Sequence, residues 1–149
     1  MKKVFISFST PITNNQKSFL SILKKYILNH NCLPITVENV DSEVIHPIIP
    51  IINKLNECSL FICVAFHKYR YKGLWYSSPW LDIEYALALS MNMPYIVIME
   101  NPMGKGILVN SDSLPTPICI PNFNNDSAEN EVEIVNFLDN NISFLFNFT

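Results

Sequence analysis

A chain of 149 residues with 10 basic and 13 acidic side chains, net charge −3, has the size of a single domain. Half of it is hydrophobic (49%) and only 15% is charged, which excludes a disordered chain. The acidic balance lacks the basic run that a nucleic-acid binder uses to neutralise phosphates, and three glycines (Gly73, Gly104 and Gly106) cannot build a phosphate-cradling or dinucleotide-binding glycine loop.

The mean hydropathy is positive, +0.20, yet the longest apolar stretches, Leu60–Phe66 and Tyr95–Met99, fall far short of the ~20 residues of a membrane-spanning helix. The N-terminus reaches polar Ser9 and Thr10 too early to hold a signal-peptide core. No membrane partner and a cytoplasmic location are therefore expected. Cys32, Cys58, Cys63 and Cys119 form no C-x-x-C pair and read as buried free thiols of a reducing compartment. His30, His46 and His67 lack ligand spacing, so no metal site is expected.

In chain order, Val4–Phe8 is rich in β-branched and aromatic residues and predicts a strand. Asn15–Asn29 carries Phe19, Leu20, Ile22, Leu23, Tyr26 and Ile27 at helical spacing, an amphipathic helix. Leu33–Val37 predicts a second strand and Glu38–His46 a polar loop. Pro47 opens a helix to about Glu57, which tolerates Pro50 only in its first turn. Ser59–Ala65 is apolar on both faces, as a central parallel strand covered by helices should be. A loop from His67 to Ser77 follows, and then Ser78 as N-cap and Pro79 as first residue of a helix over Trp80–Met91. Pro94–Met99 predicts a fourth strand, Glu100–Pro115 a loop and Pro117–Ile120 a short fifth strand. Ser127–Asn141, capped by Ser127 or Asp126, predicts the last helix.

The alternation predicts an α/β fold, one domain over 1–149, with a five-stranded parallel sheet and helices on both faces. Functional loops in such sheets lie beyond the strand C-termini, and here those loops begin at Phe8, Glu38, Phe66 and Glu100. Trp80 and Glu84 stand i and i+4 on one helix, one turn apart. A carboxylate beside an indole at the sheet rim suits a sugar-bearing ligand; taken alone, the same pair also reads as a core anchor and a solvated face residue. Asp82, on another face, is expected at the surface. Lys68, Arg70 and Lys72 alternate with Tyr69, Tyr71 and Trp75, a pattern open both to pyrophosphate and base contacts and to a solvated loop.

VFISF at the N-terminus, the apolar run 59–65, Ser78-Pro79-Trp80-Leu81-Asp82-Ile83-Glu84 and Pro94-Tyr95-Ile96-Val97-Ile98 together resemble the Toll/interleukin-1 receptor (TIR) domain over about Lys3 to Met99. The resemblance implies a flavodoxin-like TIR fold and, for the bacterial members, NAD+ as substrate rather than cofactor, cleaved at the nicotinamide N-glycosidic bond. Nicotinamide leaves as a neutral base from a cation, so the reaction needs one carboxylate to hold the ribose and stabilise the developing charge. The resemblance gives that role to Glu84. It places Trp80 at the nicotinamide-ribose pocket, with Phe8, Ser9 and Thr10 on the loop after the first strand; Lys68, Arg70 and Trp75 would then hold the rest of the dinucleotide. Ser9-Thr10 stands where some eukaryotic members carry a basic pair, and Glu38–His46 lacks the usual Pro-Gly pair. The implied products are ADP-ribose or a cyclic ADP-ribose signal in antiphage defence. The implied partners are further copies of the chain, as a dimer or filament, and an effector or fused sensor domain. The aromatic end, residues 142–149, reads as an assembly surface, a sheet-edge packing element or the lead into another domain. Two alternatives stand beside this reading. One is a non-catalytic TIR interaction scaffold. The other is a nucleoside 2-deoxyribosyltransferase-like enzyme, which also uses a helix-borne glutamate but after a glycine-rich, Asp-containing approach that Tyr71–Pro79 does not show.

Overall fold

The fold was read from a computed structural model, which describes residues 1–37, 48–104, 117–121 and 127–147. The predicted loop Glu38–His46, Pro47, most of Glu100–Pro115 and the Asp126 cap lie outside the described residues. Five strands, β1 (Lys2–Phe8), β2 (Cys32–Thr36), β3 (Leu60–Ala65), β6 (Tyr95–Met99) and β7 (Ile118–Cys119), form one parallel sheet in the order β2-β1-β3-β6-β7. The α/β architecture expected from the sequence is thus present, with the order reversing between β1 and β3.

Helices cover both faces. Helix α1 (Asn14–Asn29) packs with α4 (Ser127–Asn141) on one side; α2 (Ile48–Asn56) and α3 (Pro79–Ser90) lie on the other. Alternation along the strands sorts the core accordingly. Val4, Ile6, Leu60, Ile62 and Val64 meet Phe19, Leu23 and Ile27 of α1. Phe5, Phe61, Cys63 and Ala65 meet Ile51, Leu55, Leu81 and Tyr85 of α2 and α3. All six residues of β3 are buried, as its two-faced apolar sequence requires.

Local chemistry accounts for the helix starts. Thr13 caps α1 in a reciprocal capping box: its hydroxyl accepts from Gln16 N–H at 3.1 Å while Gln16 Oε1 accepts from Thr13 N–H at 3.2 Å. Ser78 caps α3 with Pro79 in the first turn. Pro50 falls within the first turn of α2, where a missing N–H costs no helical hydrogen bond.

Two elements were not anticipated. The segment predicted as a loop from His67 to Ser77 contains an antiparallel hairpin, β4 (Tyr69–Tyr71) and β5 (Leu74–Tyr76). Its two-residue turn places Lys72 at φ +49° and Gly73 at φ +80°, the left-handed pair that matches strand twist. A short 3₁₀ helix, Ser143–Phe146, follows α4. Phe146 packs edge-on to Tyr26 and over His30, and Ile142 lies in the α1/α4 core. This end of the chain therefore packs against the helix layer, while Phe144 stays 52% exposed.

The cysteines are free, Cys32 and Cys63 buried, but Cys119 is exposed. Among the described residues no helix is long and apolar enough to cross a membrane, and no cluster of metal-ligating side chains occurs.

Candidate functional site

Helix α3 runs across β1 and β3, and its second turn sets Glu84 above Ser7 of β1, near the C-terminal ends of the strands. Ser7 pairs in register with Cys63 of β3, so both side chains point to the α3 face. Glu84 is only 8% exposed, which rules out a solvated face residue. Burial pushes its carboxyl above the usual carboxylate range, and the Ser7 hydroxyl acts in the opposite direction. Ser7 Oγ is itself buried without a completed hydrogen bond among the described residues, so it approaches the carboxyl without closing a bond. Glu84 has no ion-pair partner among them either. Cys63, beside it, is no nucleophile: burial foremost, then the charges of Glu84 and Asp82, push its thiol far up.

A hydroxyl cluster closes the adjoining rim. Ser9, buried just beyond β1, accepts from Ser77 Oγ at 2.8 Å and from Phe66 N–H at 3.2 Å, and donates to Phe66 C=O at 3.3 Å. It thereby ties the end of β1 to the end of β3 and to the base of the hairpin.

The remaining expected residues are dispersed. Trp80 is 45% exposed on α3, so it is not a core anchor. Phe8 points to the opposite sheet face, where it packs against the α1/α4 core under the Lys24 ammonium, 5.5 Å from its ring. Thr10 is exposed. Lys68, Arg70 and Trp75 sit on or beside the hairpin: Lys68 N–H donates to Tyr76 C=O at 2.9 Å, and the Arg70 guanidinium stands 5.5 Å from the Trp75 ring. Trp75 also stacks on His67, 4.9 Å between centroids. Asp82 is half-buried rather than at the open surface. The structure thus sets Glu84 beside Ser7 and, separately, ties Ser9 to Ser77, while Phe8 lies on the other sheet face. Ser7 was missed although the sequence held its signal, a polar residue at the inward phase of an apolar strand; Ser77 carried none beyond preceding the Ser78 cap.

Neither a family model nor a curated protein matches the chain. Solved structures do. A 2-desoxiribosyltransferase from Leishmania mexicana aligns over 68% of this chain and 66% of its own length, with 12% identity and a TM-score of 0.52. The chain thus spans about two thirds of that protein. A CMP N-glycosidase from Clostridium botulinum aligns at 20% identity, 72% and 77% coverage and TM-score 0.46. A 2-deoxyribosyltransferase from Bacillus psychrosaccharolyticus aligns at 10% identity, 70% and 76% coverage and TM-score 0.47. The first of these likenesses establishes a shared fold. These findings overturn the TIR assignment, and with it the NAD+-consuming, antiphage-signalling role that it carried. The physical reason is that apolar parallel strands and a capped helix packed on them meet general needs of a doubly wound sheet and do not single out one family. They specify architecture before they specify family.

Proposed function

We propose that this chain is an enzyme that breaks or transfers an N-glycosidic bond of a nucleoside or nucleotide, with Glu84 as its catalytic carboxylate. The observation that carries the reading is the Glu84 carboxyl itself, buried over the strand C-termini beside Ser7 with no cation among the described residues to compensate it. An uncompensated buried carboxyl is costly in a purely structural role and is typical of groups tuned for chemistry. The fold likeness to a deoxyribosyltransferase supports the same class and favours it over an interaction scaffold.

In this reading the ionised carboxylate attacks the anomeric carbon. The C–N bond breaks, its electron pair leaves with the base, and the base takes up one proton from solvent. The resulting glycosyl ester is released by water, or by a ring nitrogen of a second base, which restores the carboxylate and returns a proton. A raised carboxyl pKa makes the anion a stronger nucleophile once formed. No metal or cofactor enters this scheme. The test is incubation with a panel of purine and pyrimidine nucleosides, deoxynucleosides and nucleotides, reading free base by chromatography, with and without a second base. Base release by the wild type, abolished in Glu84→Gln of unchanged melt, supports the reading. Undiminished release by Glu84→Gln overturns it.

A further inference from the structure

On the sheet face opposite Glu84, beyond the ends of β3, β6 and β7, lies a cavity of about 330 Å³ lined by Asn15, Gln16, Phe19, Phe66, His67, Glu100 and Asn101 together with Ile120 and Pro121. Phe19 and Phe66 belong to the α1/α4 core, whereas Glu84 packs with the α2/α3 side, so the sheet separates the two places. Two polar residues of the wall, Gln16 and Glu100, are held by hydrogen bonds. Gln16 is buried and has every hydrogen-bonding position filled: its Oε1 accepts from Ile12 and Thr13 N–H, and its Nε2 donates to His67 C=O and to Glu100 Oε1.

Glu100 differs from Gln16. Its Oε1 takes both Gln16 Nε2, at 2.7 Å, and the His67 N–H, at 2.8 Å. These two bonds fix the plane of the carboxylate and leave Oε2 as an oriented, charged acceptor without an ion-pair partner among the described residues. The same cavity is lined by Asn15, Asn101 and His67 and by the apolar Phe66, Ile120 and Pro121. A carboxylate held through one oxygen, in a cavity that two asparagines also line, matches vicinal hydroxyls, which donate to the carboxylate and exchange hydrogen bonds with amides. The apolar wall matches the C–H face of a sugar ring. The volume is at the small end of ligand sites, which run from roughly 300 Å³ upward, so it admits a monosaccharide or nucleoside and not a dinucleotide.

We infer that this cavity binds a hydroxyl-bearing sugar ring, free or as the sugar of a nucleoside, with Glu100 as its hydrogen-bond acceptor. The inference does not depend on the role proposed for Glu84. D-ribose and cytidine are titrated separately into the wild type, Glu84→Gln, Glu100→Gln and a cavity-filling Ile120→Trp variant. Binding is read by calorimetry and by the side-chain amide NMR signals of Asn15 and Asn101, and the fold of each variant by its melt. Expected is saturable binding that shifts those amide signals, persists in Glu84→Gln and weakens at least ten-fold in Glu100→Gln and Ile120→Trp. Ribose binding alone assigns the site to free sugars; cytidine binding alone assigns it to nucleosides. Absence of binding by both probes overturns the inference. So does binding lost in Glu84→Gln but kept in natively folded Glu100→Gln and Ile120→Trp, which would move the ligand to the other face.

Discussion

Ser77 donates its hydroxyl proton to Ser9 Oγ across 2.8 Å, and that contact joins the chain just beyond strand β1 to the foot of the hairpin that precedes α3. Because Ser9 Oγ also accepts from the buried Phe66 N–H, the two serines are not equivalent. Ser9→Ala leaves that amide without its acceptor and is expected to cost about 1–3 kcal/mol, whereas Ser77→Ala, at a half-buried position, should cost less than about 1 kcal/mol. Urea unfolding of both variants checks the order; equal costs would contradict it.

Glu84 is expected to make stability and, under the proposed function, activity respond oppositely to pH. Its folded-state pKa is raised above its unfolded value by burial, so in the window between the two the native state holds more protons than the unfolded one. The contribution of Glu84 is therefore fully favourable below the unfolded value and is lost as pH rises through the folded value. Activity that needs the carboxylate should rise over that same interval. Melting curves from pH 4 upward, wild type against Glu84→Gln, isolate the effect: the wild type should lose stability relative to the variant as pH rises. A difference independent of pH would show the carboxyl to be unperturbed.

Gly104 sits where the chain after β6 returns to the hairpin, its N–H donating to Trp75 C=O at 2.6 Å. A methyl group there would overlap the Tyr76 ring. Gly104→Ala should destabilise by about 1–3 kcal/mol through overpacking, and Tyr76→Ala should relieve part of that cost. A double-mutant cycle by thermal or urea unfolding measures the coupling, expected to be non-additive because the two residues touch.

The hairpin turn makes a sharper demand on Gly73, whose φ of +80° is strained for any side chain although nothing lies near it. Gly73→Val should cost about 1–2 kcal/mol, felt at the hairpin and the contacts it positions. Lys72→Asn, at φ +49°, should stabilise slightly, since asparagine accepts this conformation more readily than lysine. Near-UV circular dichroism in a Trp80→Phe background reports the His67–Trp75 stack directly; Gly73→Val should weaken its signal and Lys72→Asn should not.

The helix of Asn14–Asn29 was legible almost to the residue, because Phe19, Leu20, Leu23, Tyr26 and Ile27 repeat with helical period and all five are buried. So was the central strand 60–65, apolar on both faces. The hairpin was legible in principle: Lys72-Gly73 between Tyr69-Arg70-Tyr71 and Leu74-Trp75-Tyr76 is a two-residue turn between aromatic runs. The expectation of a loop from His67 to Ser77 overlooked that turn signal, although its cations and rings stand at strand-like spacing. The family assignment went astray for a different cause. Short apolar strands and a capped helix are common in parallel sheets of this kind, so their agreement with one family did not exclude others.

Composition and periodicity alone determined the α/β class, the parallel sheet and which helix bears Glu84, since burying apolar stripes at spacings of two and 3.6 residues admits few arrangements. Only the tertiary structure decided that Glu84 is buried beside Ser7, that Phe8 points to the far face, and that Gln16, His67 and Glu100, up to 84 residues apart, share one hydrogen-bonded wall. Those outcomes depend on strand register and on the side of the sheet to which each crossover returns. Both are settled by contacts between distant segments, which no local pattern encodes.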